Sequence, residues 1–245
     1  MQSATRMRPE PPAVRRLLAV LAAADDAGPI ADASAIDLGR PVPATQYTAV
    51  IGSVPFGGTI ESNGASAEVR ALARSRRAEL LAIAWALLAL KVGGRLALIV
   101  PESMLDGDTQ AHHALRRRLV EENALQAVIR MRAGLFRPRT RAAILIATRG
   151  GVTERVGFHQ LDAARDIPEL LARWPAQRDA PGSVTSFFVR REDIRPPQYA
   201  FDPNRYRSAR PADAPQPQAH EILHEIAGLE AEILQGIRDL VGMLK

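Results

Sequence analysis

Cysteine is absent from these 245 residues, which excludes disulfides and thiolate metal sites. Long apolar runs are absent as well. The longest, Leu80 to Leu90, is 11 residues, short of the roughly 18 that a membrane-spanning helix needs and suited to a buried one. The opening residues, Met1 to Pro9, carry no hydrophobic signal core. Together these features predict a soluble, cytoplasmic protein with no membrane partner. Metal ligation finds no support either: the five histidines show no ligand spacing. His112 and His113 are adjacent, so on a helix they would point to different faces and read as solvated polar positions.

Lysine is nearly missing. Only Lys91 and Lys245 occur, so almost all of the 32 basic residues are arginines. The net charge of +5 and a sequence pI of about 10.3 are compatible with a polyanionic partner, although an arginine and alanine bias is also what a GC-rich genome produces. Arg74, Arg76 and Arg77, and likewise Arg116, Arg117 and Arg118, read as solvated helix faces. Arg137, Arg139 and Arg141 lie in a stretch with proline and threonine and are candidates for phosphate contact. At 47% apolar composition the chain can bury one substantial core plus a smaller appendage.

The apolar pattern places a short Ala/Leu helix at Pro11 to Ala24 and a strand and turn at Ile30 to Leu38. Tyr47 to Ile51 has little polar alternation, as expected of a central parallel strand. A Gly/Ser/Asn-rich loop, 57–67, leads to one long helix from Glu68 to Lys91, closed by Gly93-Gly94. Further strands are predicted at Arg95 to Val100 and Ala124 to Met131, separated by a helix from Thr109 to Asn123. Ala142 to Thr148 and Arg155 to Gln160 flank Arg149-Gly150-Gly151 and suggest a hairpin. This order predicts an α/β doubly wound sheet with an antiparallel edge.

A short helix, Pro168 to Trp174, precedes Ser186 to Ile194 and a proline-rich stretch through Pro217. Beyond it, Ile222, Ile226, Leu229, Ile233, Ile237, Leu240 and Leu244 form one apolar stripe at helical spacing. Acidic residues occupy the other faces, and the stripe is predicted to bind a partner helix rather than its own domain. The organisation expected is an N-terminal arm and short helix (1–29), an α/β domain (30–165), an extension and proline-rich linker (166–217) and a C-terminal interaction helix (218–245).

One tetrapeptide carries chemistry. Ser53-Val54-Pro55-Phe56 follows the apolar run Tyr47-Thr48-Ala49-Val50-Ile51-Gly52 and precedes Gly57-Gly58. With Leu87 to Pro101, Leu115 to Asn123, Ala127-Val128-Ile129, Gly134-Leu135-Phe136, Ala143 to Ile146 and Asn204-Arg205-Tyr206 in order behind it, the chain resembles the methylating subunit of type I restriction-modification systems, the N6-adenine DNA methylase family. The resemblance runs from about Ile30 to the last residue. It implies a Rossmann-like, S-adenosylmethionine-dependent methyltransferase sheet with a C-terminal helical tail. It also implies DNA and a specificity subunit as partners, with a restriction subunit as a further one.

In such a site an exocyclic amine, a poor nucleophile, donates hydrogen bonds to a side-chain acceptor and a backbone carbonyl while an aromatic ring stacks on the extruded base. The resemblance assigns the side-chain acceptor to Ser53, the carbonyl to Val54 and the stacking face to Phe56, with Pro55 between them. It gives Asp32 or Asp37 to the acidic position near the cofactor adenine, while Arg137, Arg139 and Arg141 are candidates for DNA phosphates from their loop setting. The usual pattern is Asn/Asp/Ser-Pro-Pro-Tyr/Phe. Val54 keeps the carbonyl of the replaced proline and loses its fixed φ.

The family opens with a helical domain and a glycine-rich loop that cradles the methyl donor, and nothing like that loop precedes residue 45. The expectation is therefore the C-terminal half of a methyltransferase, inactive alone. Two other readings are a pseudo-methylase acting as a DNA-binding or assembly module, and one half of a split enzyme.

Overall fold

The computed structural model describes residues 10–22, 28–42, 47–61, 64–173 and 186–207. The chain divides into two compact units, Met1–Pro203 and Asn204–Lys245. In the second, only a single helical turn, α7 (Asn204–Arg207), is described. The stripe from Ile222 to Leu244 lies outside the described residues.

The first unit is built on a seven-stranded mixed sheet of order β1-β2-β3-β5-β4-β6-β7. Its strands are β1 (Ile30–Asp32), β2 (Tyr47–Ser53), β3 (Leu90–Pro101), β4 (Asn123–Met131), β5 (Ala142–Arg149), β6 (Arg155–Leu161) and β7 (Ser186–Arg190). The helices are α1 (Pro12–Leu21), α2 (Ala67–Ala73), α3 (Ala78–Ala89), α4 (Ser103–Asp106), α5 (Gln110–Glu121) and α6 (Ile167–Arg173). Alternation along the strands sends Ala49, Ala97, Ile99, Ala127, Ile129, Ile144 and Ile146 to one face, where they form a core with Val14, Leu17, Leu18 and Leu21 of α1 and Ile167 and Leu170 of α6. Val50, Leu96, Leu98, Val128 and Leu145 are buried on the opposite face, which α3 and α5 cover. Every residue of α3 except Leu88 is buried. A helix apolar all round is what a position between a sheet and outer helices demands.

Three expectations are corrected. The long helix from Glu68 to Lys91 is two helices, because Arg74 turns left-handed (φ 48°) at the C-cap of α2. The next residues are then captured by the loop behind the tetrapeptide: the Ile60 N–H donates to the Arg76 carbonyl at 2.8 Å, and the Ala78 N–H donates to Gly58 at 3.1 Å. α3 also ends earlier than expected. Leu90 already pairs with Tyr47, and Lys91 to Gly94 form an irregularity before Arg95 pairs with Ala49.

The hairpin across Gly150-Gly151 does not form. β5 lies antiparallel inside the sheet, between β3 and β4, and β6 runs parallel to β4 on its other side. The antiparallel edge strand is β7. Asn123 and Thr153 redirect the chain. The Gly150 N–H donates to Asn123 Oδ1 (3.2 Å), the Thr153 hydroxyl donates to the Asn123 carbonyl (2.8 Å), and the Leu125 N–H donates to Thr153 Oγ1 (2.9 Å). The connection is thereby drawn under the start of β4 and emerges beside it. β5 is buried on both faces, so an interior place suits its sequence.

Two polar residues expected in solvent are inside. His112 is fully buried, its Nδ1 2.7 Å from the Thr109 hydroxyl, and burial lowers its pKa to about 4. Arg116 is also buried. Its guanidinium donates to the carbonyls of Gln198 (2.8 Å), Met104 (3.3 Å) and Gly107 (2.9 Å), so it acts as a cross-link between segments rather than a surface charge. Arg117 and Arg118 do keep to the surface, each paired with a glutamate one turn on.

Thr153→Val tests the redirected connection. It strands the buried Leu125 N–H, and urea denaturation should show a loss of about 2 kcal/mol. A loss below about 0.5 kcal/mol would mean that the Thr153 hydroxyl does not hold the crossing.

Candidate functional site

β1, β2, β3, β4 and β6 all point the same way. Their C-terminal ends therefore form one edge of the sheet, the edge where open α/β sheets place ligands. Asp32 ends β1, Ser53 ends β2, and Glu102 follows β3. Asp32 and the tetrapeptide, both expected in the site, are thus neighbours at the ends of adjacent strands. Asp37 is not among them: its carboxylate is exposed, accepting from the Gly39 N–H (3.1 Å) and pairing with Arg40 (3.3 Å).

The tetrapeptide is set by backbone pairing. Ser53 stands opposite Ile99, and the Val54 N–H donates to the Ile99 carbonyl at 3.0 Å. Ser53 and Val54 are both fully buried, and the Ser53 hydroxyl has no hydrogen-bond partner among the described residues. Its backbone N–H donates to Glu10 Oε1 at 2.8 Å. Glu10 in turn lies 3.9 Å from Arg15, and Arg15 reaches Asp32 Oδ2 at 2.9 Å. Asp32 Oδ1 accepts from the Ser34 N–H (2.9 Å) and hydroxyl (2.6 Å). A chain of polar contacts therefore joins the start of α1 to the ends of β1 and β2. Gly52 makes room for it. Its φ is +125°, and a Cβ there would lie 2.7 Å from Asp32 Oδ1.

Phe56 is half-buried and packs on Phe136, with ring centroids 5.3 Å apart at 35°. The Arg137 guanidinium lies 4.6 Å from the Phe136 centroid and 5.6 Å from that of Phe56, within cation–π range. The expected stacking ring is thus one half of an aromatic pair under a cation. Arg139 is exposed in a left-handed conformation (φ 57°). Arg141 lies 3.6 Å from Glu102, whose carboxylate also pairs with Arg130. The three arginines taken together for DNA therefore have three different surroundings.

Beside this edge runs an open groove of about 750 Å³, lined by Glu10, Arg15 and Arg16 on one side and Phe136, Arg137 and Pro138 on the other. Ser53 and Phe56 do not line it. Glu10 and Phe136 connect the two, since one holds the Ser53 N–H and the other packs on Phe56. Sequence reasoning gave neither of them a role. Phe136 was visible within a matching block, whereas Glu10 sits alone in a proline-rich stretch with no pattern to mark it.

A mixed α/β sheet with its polar groups gathered at the carboxyl ends of parallel strands is a ligand-binding architecture, and solved methyltransferase subunits share this fold. A chain from a type I restriction-modification system, solved to explain its complex assembly and conformational transition, matches with a TM-score of 0.52 and 23% identity over 83% of this chain and 46% of that one. The type I methyltransferase subunit from Streptococcus thermophilus matches with a TM-score of 0.56 and 17% identity, over 70% and 40% of the two chains. In sequence, the methylase subunit of the type I restriction enzyme EcoEI from Escherichia coli is 26% identical over 157 residues, which are 60% of this chain and 32% of that subunit. Residues 30–213 match the N-6 DNA Methylase family. The chain belongs to that family, and it spans about a third of the length of the curated relative it matches. No helix among the described residues is long and apolar enough to cross a membrane.

Family membership implies S-adenosylmethionine as methyl donor, a cation with a ribose diol to be held. The described residues do not make a complete site for it. Asp32 is already engaged by Ser34 and Arg15, the adjoining groove carries three arginines against one glutamate, and Gly57 and Gly58 lead into a loop rather than a helix.

Glu10 provides the direct test of this geometry. Glu10→Gln keeps an acceptor for the Ser53 N–H and should cost under about 1 kcal/mol in urea denaturation. Glu10→Ala, which strands that buried donor, should cost about 2 kcal/mol or more. Equal losses in the two variants would show that the hydrogen bond to Ser53 is not what Glu10 contributes.

Proposed function

We propose that this chain is the base-receiving part of an N6-adenine DNA methyltransferase of type I restriction-modification kind, and that it is inactive alone. The observation that carries this reading is the placement of Ser53-Val54-Pro55-Phe56 at the carboxyl end of β2, beside Asp32, in a member of the N-6 DNA methylase family. In this reading an extruded adenine presents its exocyclic amine to the Ser53 hydroxyl and the Val54 carbonyl and stacks on the Phe56 side of the aromatic pair. Ser53 is a fitting acceptor because its hydroxyl has no other partner among the described residues. A buried hydroxyl left unpaired is costly, and that cost is recovered when a donor arrives.

In this reading Arg137 and Arg139 meet backbone phosphates flanking such a base, and Arg141 does so once released from Glu102. The adenosine end of the donor is left to the separately supplied half, since Asp32 is engaged by Ser34 and Arg15. The C-terminal stripe, Ile222 to Leu244, binds a specificity subunit that reads the target sequence, and a restriction subunit joins through that complex.

A second reading, a pseudo-methylase retained as a DNA-binding or assembly module, is favoured by the full burial of Ser53 and by the loss of the first proline at Val54. The split-enzyme reading separates from it by experiment. Calorimetric titration of the chain alone with S-adenosylmethionine should give no binding at micromolar strength. Adding a separately expressed cofactor-binding half from a type I methylase should then yield methyl transfer to adenine N6, abolished by Ser53→Ala or Phe56→Ala. Micromolar binding by the chain alone would overturn the claim that it lacks the donor site. Absence of transfer from every complemented mixture would favour the pseudo-methylase.

A further inference from the structure

The cluster Arg74, Arg76 and Arg77 reads in the sequence as part of a solvated helix face. In the structure it is an elbow between α2 and α3, and the elbow is fastened to the loop that leaves the tetrapeptide. Thr59 bridges Arg77 in antiparallel pairing, and the backbone hydrogen bonds from Ile60 to Arg76 and from Ala78 to Gly58 complete the attachment. The elbow is therefore held to the same segment that carries Phe56.

A groove of about 360 Å³ opens at this elbow, lined by Ile60, Ala65 and Leu81 and by Arg70, Arg74, Ser75 and Arg76, with Glu61 as its acidic member. Three guanidinium groups face one carboxylate. Arg76 lies 3.3 Å from both Glu61 oxygens, and the lining residues carry a formal excess of positive charge. The Arg74 side chain is exposed and makes no hydrogen bond or ion pair with the described residues, although its backbone holds a left-handed conformation that is unfavourable for a non-glycine residue. Ser75 Oγ accepts from the Arg77 N–H at 3.1 Å, so its proton is left to donate. Arginine forks and a hydroxyl around a concavity suit the oxygens of a phosphate. Ile60, part-exposed beside them, suits a deoxyribose.

We propose that this elbow is a phosphodiester clamp for the DNA backbone, with Arg70 and Arg74 as contacting cations and the Ser75 hydroxyl as a further donor. The clamp deepens the reading of the chain as a DNA-binding methyltransferase part, and rests on it. Bound here, a strand would be gripped at a point tied through the 57–60 loop to the base-receiving end of β2. The contact would hold position and carry no sequence information.

The test uses the full chain and a fluorescently labelled duplex, with anisotropy titrations between about 50 and 200 mM KCl. Arg70→Gln/Arg74→Gln should weaken binding and lower the slope of log K against log salt by about 2, close to one for each phosphate no longer neutralised. Arg155→Gln, whose arginine begins β6 at the opposite edge of the sheet, should leave the slope unchanged. A melting curve like that of the parent chain establishes that the double variant is folded. Binding by the parent chain with an unchanged slope in the double variant overturns the clamp and leaves the DNA reading standing. Absence of duplex binding by the parent chain at 50 mM KCl overturns both. If inorganic phosphate raises the melting temperature of the parent but not of the double variant, and duplex affinity is the same in the two, the site takes free phosphate and the backbone clamp is wrong.

Discussion

The parallel pairing of β2 with β3 is the constraint on which the site depends. It runs from Ala49 opposite Arg95 to Ser53 opposite Ile99 and continues one residue further, through the Val54 N–H to the Ile99 carbonyl. Because side chains alternate along a strand, a slip of one residue would turn Ser53 to the other face and bring Val54 into its place. The register is protected by burial on both sides: Ala49 enters the core under α1, and Val50 is fully buried on the opposite face. The irregularity at Lys91 to Gly94 absorbs the mismatch where α3 passes directly into β3. The main ladder can therefore stay regular up to the point where the tetrapeptide leaves the sheet.

From this ladder the polar architecture follows. β1 pairs with the outer side of β2 and brings Asp32 to the same edge. The Asp32 carboxylate lies over Gly52, where a side chain would collide, and Arg15 ties it back to α1. Glu10 closes the arrangement by accepting from Ser53 inside the protein. A buried carboxylate survives when hydrogen-bonded and near a cation, and Arg15 is that cation. The edge is thus organised by a few ionic contacts between short segments.

Much of the sheet was legible because its strands are short apolar runs bounded by glycine and proline, and because one tetrapeptide sits at a strand end. The connectivity was less so. A Gly-Gly between two apolar runs is the ordinary sign of a hairpin, and only Asn123 and Thr153, distant in sequence, reveal that the chain crosses beneath β4 instead. Local composition also misjudged the arginines. Arg116 looks like its neighbours but reaches three carbonyls on segments the helix pattern cannot see, and the left-handed turn at Arg74 is followed by backbone pairing to the loop at Gly58 to Ile60, a tertiary contact that helix propensity does not register. Ser53 and Phe56 could be singled out in sequence because they fall within one four-residue pattern at a strand end. Glu10 could not, because its meaning lies wholly in a contact 43 positions away.

The central claim is that the end of β2 receives an extruded base against Phe56. The most direct measurement is the fluorescence of 2-aminopurine placed opposite an abasic site in a duplex, where extrusion is least costly. The account predicts a change in emission on adding the chain, reporting a base that has left the stack, and the loss of that change in Phe56→Ala at saturating protein. An unaltered emission spectrum with bound DNA, or the same response from Phe56→Ala, would contradict it.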